Sequence, residues 1–468
     1  MADLIIYILI ISIYNSILFF GKRFGLNVIL FNIPLLTFLY NILRRNKKIN
    51  NKKGLLFMIP IILLSTSYLI YDNIFFKIFN IFVIIALFML MYVYTMKKDS
   101  KISELIIDVI KLMFLPLSHI DKYYRVVKIK IDSIITLSET NKKKIKSLFV
   151  VMPIIITILF LLSSADMIFN NIFKIFNKIP LDNTIERIIS VTILFTYLGS
   201  TINYLLFGFL NSDDKTNNKS YKIESYTIKL LLTILNIIYI VFDFIQIRSL
   251  IFHHGLSNIN YAQYARSGFF QLMCISIINL IILLVSKKAK QDTKYNKTMS
   301  IIMIFLTFII IISSFLRMYM YESAYGYTLL RLLVYVTLIT ETVLLIPTLV
   351  YIINPKINIL NCYVIITVTA YTILSLSPVD YFIAKNNISR YYKVNKIDMN
   401  YLQNYSTDNI PLLYDFYNNI EKKGDKYYYN NLKNYFKYMY KMNKNDSIFE
   451  YNISRSRAVK LLKNKITN

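Results

Sequence analysis

Two carboxylates sit where a carboxylate is costly. Asp243 and Glu341 lie inside long runs of Ile, Leu, Val and Phe. A charge in such surroundings needs a proton, a counter-ion or water to persist there. Neither stands alone. Thr233, Asn236, Tyr239, Asp243 and Gln246 recur every three or four residues, the spacing of one helix face. Thr337 and Glu341 are one turn apart, Thr348 lies two turns further, and Pro347 is placed to kink that helix. Thr192, Thr196, Ser200 and Asn203 form another stripe, and Gln271 and Asn279 share a further apolar run. Polar residues of this kind line ion and substrate paths, and they equally bond one helix to another.

Arginine is the second signal. The chain has 12 Arg against 42 Lys, yet the four cations flanking one side of the apolar runs between 228 and 353 are all Arg: Arg248, Arg266, Arg317 and Arg331. A guanidinium grips carboxylate or phosphate with a planar fork and keeps its charge on burial. One expectation is internal salt bridges to Asp243, Glu322 and Glu341. The other is an outward-facing site for an anionic group, walled by Tyr261, Tyr264, Tyr321 and Tyr325. His253 and His254 are weak metal candidates, because adjacent histidines lack the i, i+4 spacing that sets two ligands on one helix face. No cofactor is expected. There is no Walker loop, GxSxG, dinucleotide fingerprint or HExxH, so no characterised class of soluble enzyme is indicated.

The elements that carry these residues follow from composition. Hydrophobic residues make up 56% of the chain and charged residues only 17%, which points to a bilayer. The net charge of +28 then reads as lysine-rich cytoplasmic loops and not as a nucleic-acid surface. Cys274 and Cys362 fall within apolar runs, so no disulfide framework is expected. Met1-Ala2-Asp3 has no positive charge, and the first apolar segment is expected to be retained. Eleven stretches are long enough to span: roughly 4–20, 25–43, 54–72, 75–95, 148–165, 188–210, 228–247, 268–286, 298–316, 329–353 and 358–376. Each must be helical, because hydrocarbon offers no partner to a free backbone group. Residues 103–117 and 168–179 read as helices lying in the interface. Spans six, seven, eight and ten are expected to form the inner bundle, with the early spans facing lipid. An inside N-terminus puts 28 Lys and Arg in the inner loops and 10 in the outer ones, which favours that orientation and an extracytoplasmic tail.

The expected fold is therefore all-α: a transmembrane bundle over 1–376 and a small, soluble helical tail over 377–468. In the tail, Tyr428, Leu432, Tyr435, Phe436 and Met439 share one face, and Thr407 or Asp408 is placed to cap a helix ending at Lys423, before Gly424. The Asn- and Lys-rich composition leaves a disordered tail as the alternative.

Several stretches are similar to a known group. Asn236–Leu250, YAQYARSGFFQL at 261–272, RMYMYESAYGYTLLRL at 317–332, VDYFIAKNNISRY at 379–391 and NISRSRA at 452–458 resemble the DUF4173 family of bacterial membrane proteins, within the wider DUF4153 group. The resemblance covers the second half of the chain. It implies an integral membrane protein of a bacterium, with no assigned activity and no catalytic residues to transfer. Three readings remain open: a transporter, flippase or binder of anionic lipid or another anionic ligand; a non-catalytic sensor or assembly partner acting through its outer tail; and an intramembrane enzyme on a lipid-linked substrate. The bilayer is the one expected partner common to all.

Overall fold

A computed structural model describes residues 2–96, 120, 123–125, 127, 184–203, 225–251, 269–287, 293–394, 397–403, 406–423, 426–444 and 446–466. Among these residues the regular structure is helical throughout. The expected span 148–165 and the interfacial segments 103–117 and 168–179 lie outside them. Helices α1 (Ala2–Phe19), α2 (Leu26–Arg45), α3 (Met58–Ile70, preceded by a 3-10 turn from Lys52) and α4 (Ile74–Met96) are followed by α5 (Thr184–Asn203), α6 (Ser225–Ile251), α7 (Phe269–Ser286), α8 (Lys294–Tyr325), α9 (Leu329–Ile353) and α10 (Ile359–Ser375). The tail holds α11 (Val379–Val394), α12 (Met399–Gln403), α13 (Ile410–Lys423), α14 (Lys426–Asn443) and α15 (Ile453–Ile466).

Seven of the described helical segments are long and apolar enough to cross a membrane: Leu26–Arg45, Lys52–Ile70, Ile74–Met96, Thr227–Phe244, Phe269–Ser286, Lys294–Tyr325 and Leu329–Ile353. The pair α10–α11, bent by 61°, makes an eighth if the two count as one span, and Leu4–Phe19 is a shorter apolar helix. The chain is a multi-pass membrane protein. Its lipid-facing surface is evident on α6, where Ile237, Ile238, Ile240, Val241 and Phe244 are exposed.

The chain forms two compact units, one of residues 1–23, 33–48 and 97–216, the other of 24–32, 49–96 and 217–468. In the first, α1 packs on α5, and Ile8, Ile42 and Ile202 form its buried core. The Thr192/Thr196/Ser200 stripe belongs to this unit, with Ser200 buried and Thr196 Oγ1 2.7 Å from Tyr124 OH. The Asn203 side chain lies outside the described residues.

In the second unit α8 is the hub, packed against α6, α7 and α9. Spans seven, eight and ten pack here as expected, whereas span six (α5) packs on α1 in the first unit and the ninth span, outside the expected inner bundle, lies at the centre. Its buried stripe runs Asn296, Ser300, Met303, Thr307, Ile310, Ser314 and Arg317. Between apolar helices lipid supplies no hydrophobic drive, so close packing and hydrogen bonds hold such a bundle together. The early spans are also less plain than expected. Asn80 on α4 is fully buried and donates to Ser67 Oγ of α3 and Ser375 Oγ of α10, both at 2.9 Å, while Tyr371 donates to Asn80 Oδ1 at 2.5 Å. One asparagine thus ties three helices, and this face of α3 and α4 meets protein. Gly326 ends α8 at φ +84°, where a side chain would meet Asn387 Oδ1 at 2.6 Å. Thr328 then caps α9 by accepting from Arg331 N. α9 runs on through Pro347.

The tail is folded, not disordered. Leu402, Ile410, Leu413, Phe416, Ile420, Leu432, Phe436 and Leu462 form its buried core, with Tyr428, Tyr435 and Met439 packed against it. Each such apolar side chain contributes about 1.5–3 kcal/mol on burial. The cap before α13 is Ser406, which accepts from Asp408 N, in place of Thr407 or Asp408. Those two lie inside the 3-10 turn (Thr407–Asn409) that leads into α13, with their side chains bonded to Asp72.

Candidate functional site

The stripe on α6 is the spine of a polar file through the second unit. At one end Thr233 Oγ1 lies 2.8 Å from Tyr295 OH of α8, and Lys229 stands over the Tyr295 ring at 4.7 Å. One turn on, Asn236 Nδ2 donates to Met299 O at 2.9 Å. Tyr239 OH donates to Asn279 Oδ1 of α7 at 2.8 Å, and Asn279 Nδ2 donates to Thr307 Oγ1 of α8 at 3.0 Å. Thr307 is free to accept there because its own proton goes to Met303 O, 2.7 Å away. At the other end Arg317 Nη2 of α8 donates to Gln246 Oε1 at 2.8 Å. From Thr233 to Gln246 the file extends about 20 Å at about 1.5 Å per residue.

Both carboxylates lie on or beside this file, each 3% exposed. Asp243 is one turn from Tyr239 and one from the Gln246–Arg317 contact. Among the described residues neither of its oxygens has a hydrogen-bond partner and no cation lies within ion-pair distance, so the expected pairing with an arginine is not seen there. Glu341 of α9 meets Ser276 of α7, with Ser276 Oγ 2.5 Å from Glu341 Oε2 and 2.8 Å from Met273 O. A hydroxyl has one proton. The single hydroxyl proton is shared between the Glu341 carboxyl and the Met273 carbonyl, which ties α7 to α9 at this depth. Gln271, by contrast, is exposed and off the file.

The arginine end is partly described. Arg331 is buried, donates to Gly326 O and stacks over the Tyr321 ring at 4.2 Å, with the Tyr325 ring at 6.0 Å. Among the described residues no carboxylate lies within ion-pair distance of Arg331. Buried Glu322 instead lies beside the phenols of Tyr327 and Tyr335. The structure thus brings Asp243, Arg317, Arg331, Tyr321 and Tyr325 to the ends of three packed helices, with Glu341 deeper on α9. The Arg248 side chain, and Arg266, Tyr261, Tyr264, His253 and His254, lie outside the described residues. No group of three His, Cys, Asp or Glu among the described residues is arranged to hold a metal ion.

A second polar cluster was not apparent from sequence. It fastens the tail to α3 and α4. Asp408 accepts from Asp72 N at 3.0 Å, Ser406 Oγ bridges Asp408 (2.8 Å) and Asp380, and Asn73 Nδ2 donates to Asp380 Oδ1 at 2.6 Å. Lys77 is bonded to Asp72, which also accepts from Thr407 Oγ1 at 3.1 Å. Burial pushes the Asp408 carboxyl above its ordinary range. Arg455 completes the cluster at 3.6 Å from Asp72 and 2.9 Å from Asp446, the latter at an angle that makes it an ion pair and not a hydrogen bond.

The bundle, its file and all of this cluster except its α15 side fall within residues 58–416, the stretch matched by the family model described as Domain of unknown function (DUF4153). No curated protein and no solved structure matches the chain. A match over well over half of the 468 residues, spanning the helices that carry the polar file, places the relationship beyond a shared motif: the chain belongs to the DUF4153 family.

Proposed function

We propose that this protein is a transporter for an anionic ligand, with Asp243 and Glu341 binding and releasing protons along the polar file. The observation that carries this reading is the placing of two buried carboxyls, Asp243 and Glu341, on and beside a continuous polar file, with no described cation within ion-pair distance of either. Intramembrane ionisable groups that face a protein interior are the usual elements of proton relays. The file of Tyr, Asn, Thr and Gln hydroxyls and amides above and below them supplies exchangeable hydrogens over about 20 Å.

A second reading rests on the arginine end: Arg331 and Arg317 hold an anionic headgroup or a free anion. Among its described contacts Arg331 spends its donors on one carbonyl, out of five N–H groups. Native mass spectrometry tests it. The parent should retain anionic lipid over zwitterionic lipid, and Arg331→Lys, which keeps the charge but loses the fork, should weaken that retention about tenfold, the loss of about 1.4 kcal/mol. Equal retention by parent and variant excludes the anion site.

The membrane is proposed to be the bacterial plasma membrane, with the N-terminus cytoplasmic and the tail, 377–468, outside. The motifs at 261–272, 317–332 and 452–458 support the DUF4173 subgroup within the family. Lys53→Cys should be shielded from an impermeant thiol reagent in intact cells and Asn430→Cys should be labelled. The reverse pattern inverts the topology.

A further inference from the structure

The turn that precedes α15 carries apolar side chains on its outside. Its conformation is fixed by a capping box, in which Ser447 N and Oγ both bond Glu450 Oε2, at 3.0 and 2.7 Å. The segment is fastened to the ends of two apolar helices. Tyr451 O accepts from Leu26 N, the first residue of the span Leu26–Arg45, at 3.0 Å. Asn452 Nδ2 donates to Tyr68 O and Tyr71 O at 2.8 and 2.9 Å, closing the last carbonyls of the span Lys52–Ile70. The approach to Leu26 is close enough to require Gly25, where a Cβ would meet Glu450 O at 2.5 Å. The segment therefore sits at the level where two spans end, which is the level of the bilayer boundary.

At that level the apolar side chains point away from the protein. Ile448 is 81% exposed, Tyr451 45% and Ile453 38%, and Ile74, opening the neighbouring span, is exposed as well. Exposed apolar side chains grouped on a fixed turn and rimmed by polar residues mark an interaction surface. Exposed Lys444, Arg457 and Lys460 flank the group. Apolar and tyrosine side chains rimmed by cations are the composition that seats in the headgroup–acyl boundary of a bilayer.

We propose that Ile448–Ile453 is a membrane-interface anchor, seated in the bilayer surface and holding the start of α15 against it. This is independent of any transport role for the bundle. The chain contains no tryptophan, so Ile448→Trp introduces the sole indole. Tyr427→Trp, at a position 72% exposed on α14, is the comparison. In proteoliposomes, lipids brominated high on the acyl chain should quench the fluorescence of Ile448→Trp several-fold more than that of Tyr427→Trp, and aqueous iodide should do the opposite. Iodide quenching of Ile448→Trp equal to the comparison, without lipid quenching, overturns the proposal. So does protection from both quenchers, which would mean that a protein surface covers the segment.

Discussion

Arg455→Leu should destabilise the packing of the tail by about 3 kcal/mol, because it removes a buried guanidinium from two carbonyls and two carboxylates. Arg455 is buried between Asp446 and Asp72 and also donates to Phe24 O at 3.1 Å and to Glu450 O. Lys77 remains for Asp72, while Asp446 loses its 2.9 Å contact with the guanidinium. The measurement is thermal unfolding together with limited proteolysis of the purified protein. The melting temperature should fall and new cleavage should appear around α14 and α15. Adding Asp446→Asn should recover part of the loss, since the carboxylate that faced the guanidinium is then neutral. Arg455→Lys should not rescue, because an ammonium cannot reach two carbonyls and a carboxylate in the directions that the planar fork serves. Unchanged melting and cleavage in Arg455→Leu would show that the cluster does not hold the tail.

How much of this was legible in the sequence depends on whether the signal was periodic. The α6 stripe was readable because a helix repeats every 3.6 residues, and Thr233, Asn236, Tyr239 and Gln246 each have a partner across the file. The hub helix α8 was not, although Ser300, Thr307 and Ser314 recur every seven residues. Serine and threonine satisfy themselves against their own helix, as Thr307 does on Met303, so they raise no alarm in an apolar run. The tail cluster joins Asp72, Asp380, Asp408 and Arg455 over separations of up to 383 residues, as the Asp72–Arg455 pair shows, and no period reports such contacts. Asn80 is illegible for a different reason: a lone amide in an apolar helix gives no hint of Ser67, Tyr371 and Ser375 around it. Among the described residues, helices coincide with ten of the eleven expected stretches, the span 148–165 lying outside them, and seven to eight helical segments are apolar and long enough to cross. The shortfall at the N-terminus is physical, since α1 offers only Leu4–Phe19 between its polar ends.

Glu341→Gln and Asp243→Asn should leave folding intact and remove function. An amide keeps the shape of the carboxyl and can still meet Ser276, and it removes a buried ionisable group whose charged form is costly in these surroundings. Unfolding temperatures of both variants should therefore equal or exceed that of the parent. Function should respond in the opposite direction, because an amide cannot take up and release a proton near neutral pH.

The proton-binding role of Glu341 and Asp243 is tested most directly by charge displacement on a solid-supported membrane. Proteoliposomes are adsorbed to the surface and the external pH is stepped, with no added substrate. Protons moving onto buried carboxyls along the file displace charge within the bilayer. The parent should give a transient current on each pH step, each single variant a smaller one, and the Asp243→Asn/Glu341→Gln double variant no more than empty liposomes. A parent without a transient, or a double variant whose transient matches the parent, would contradict the account.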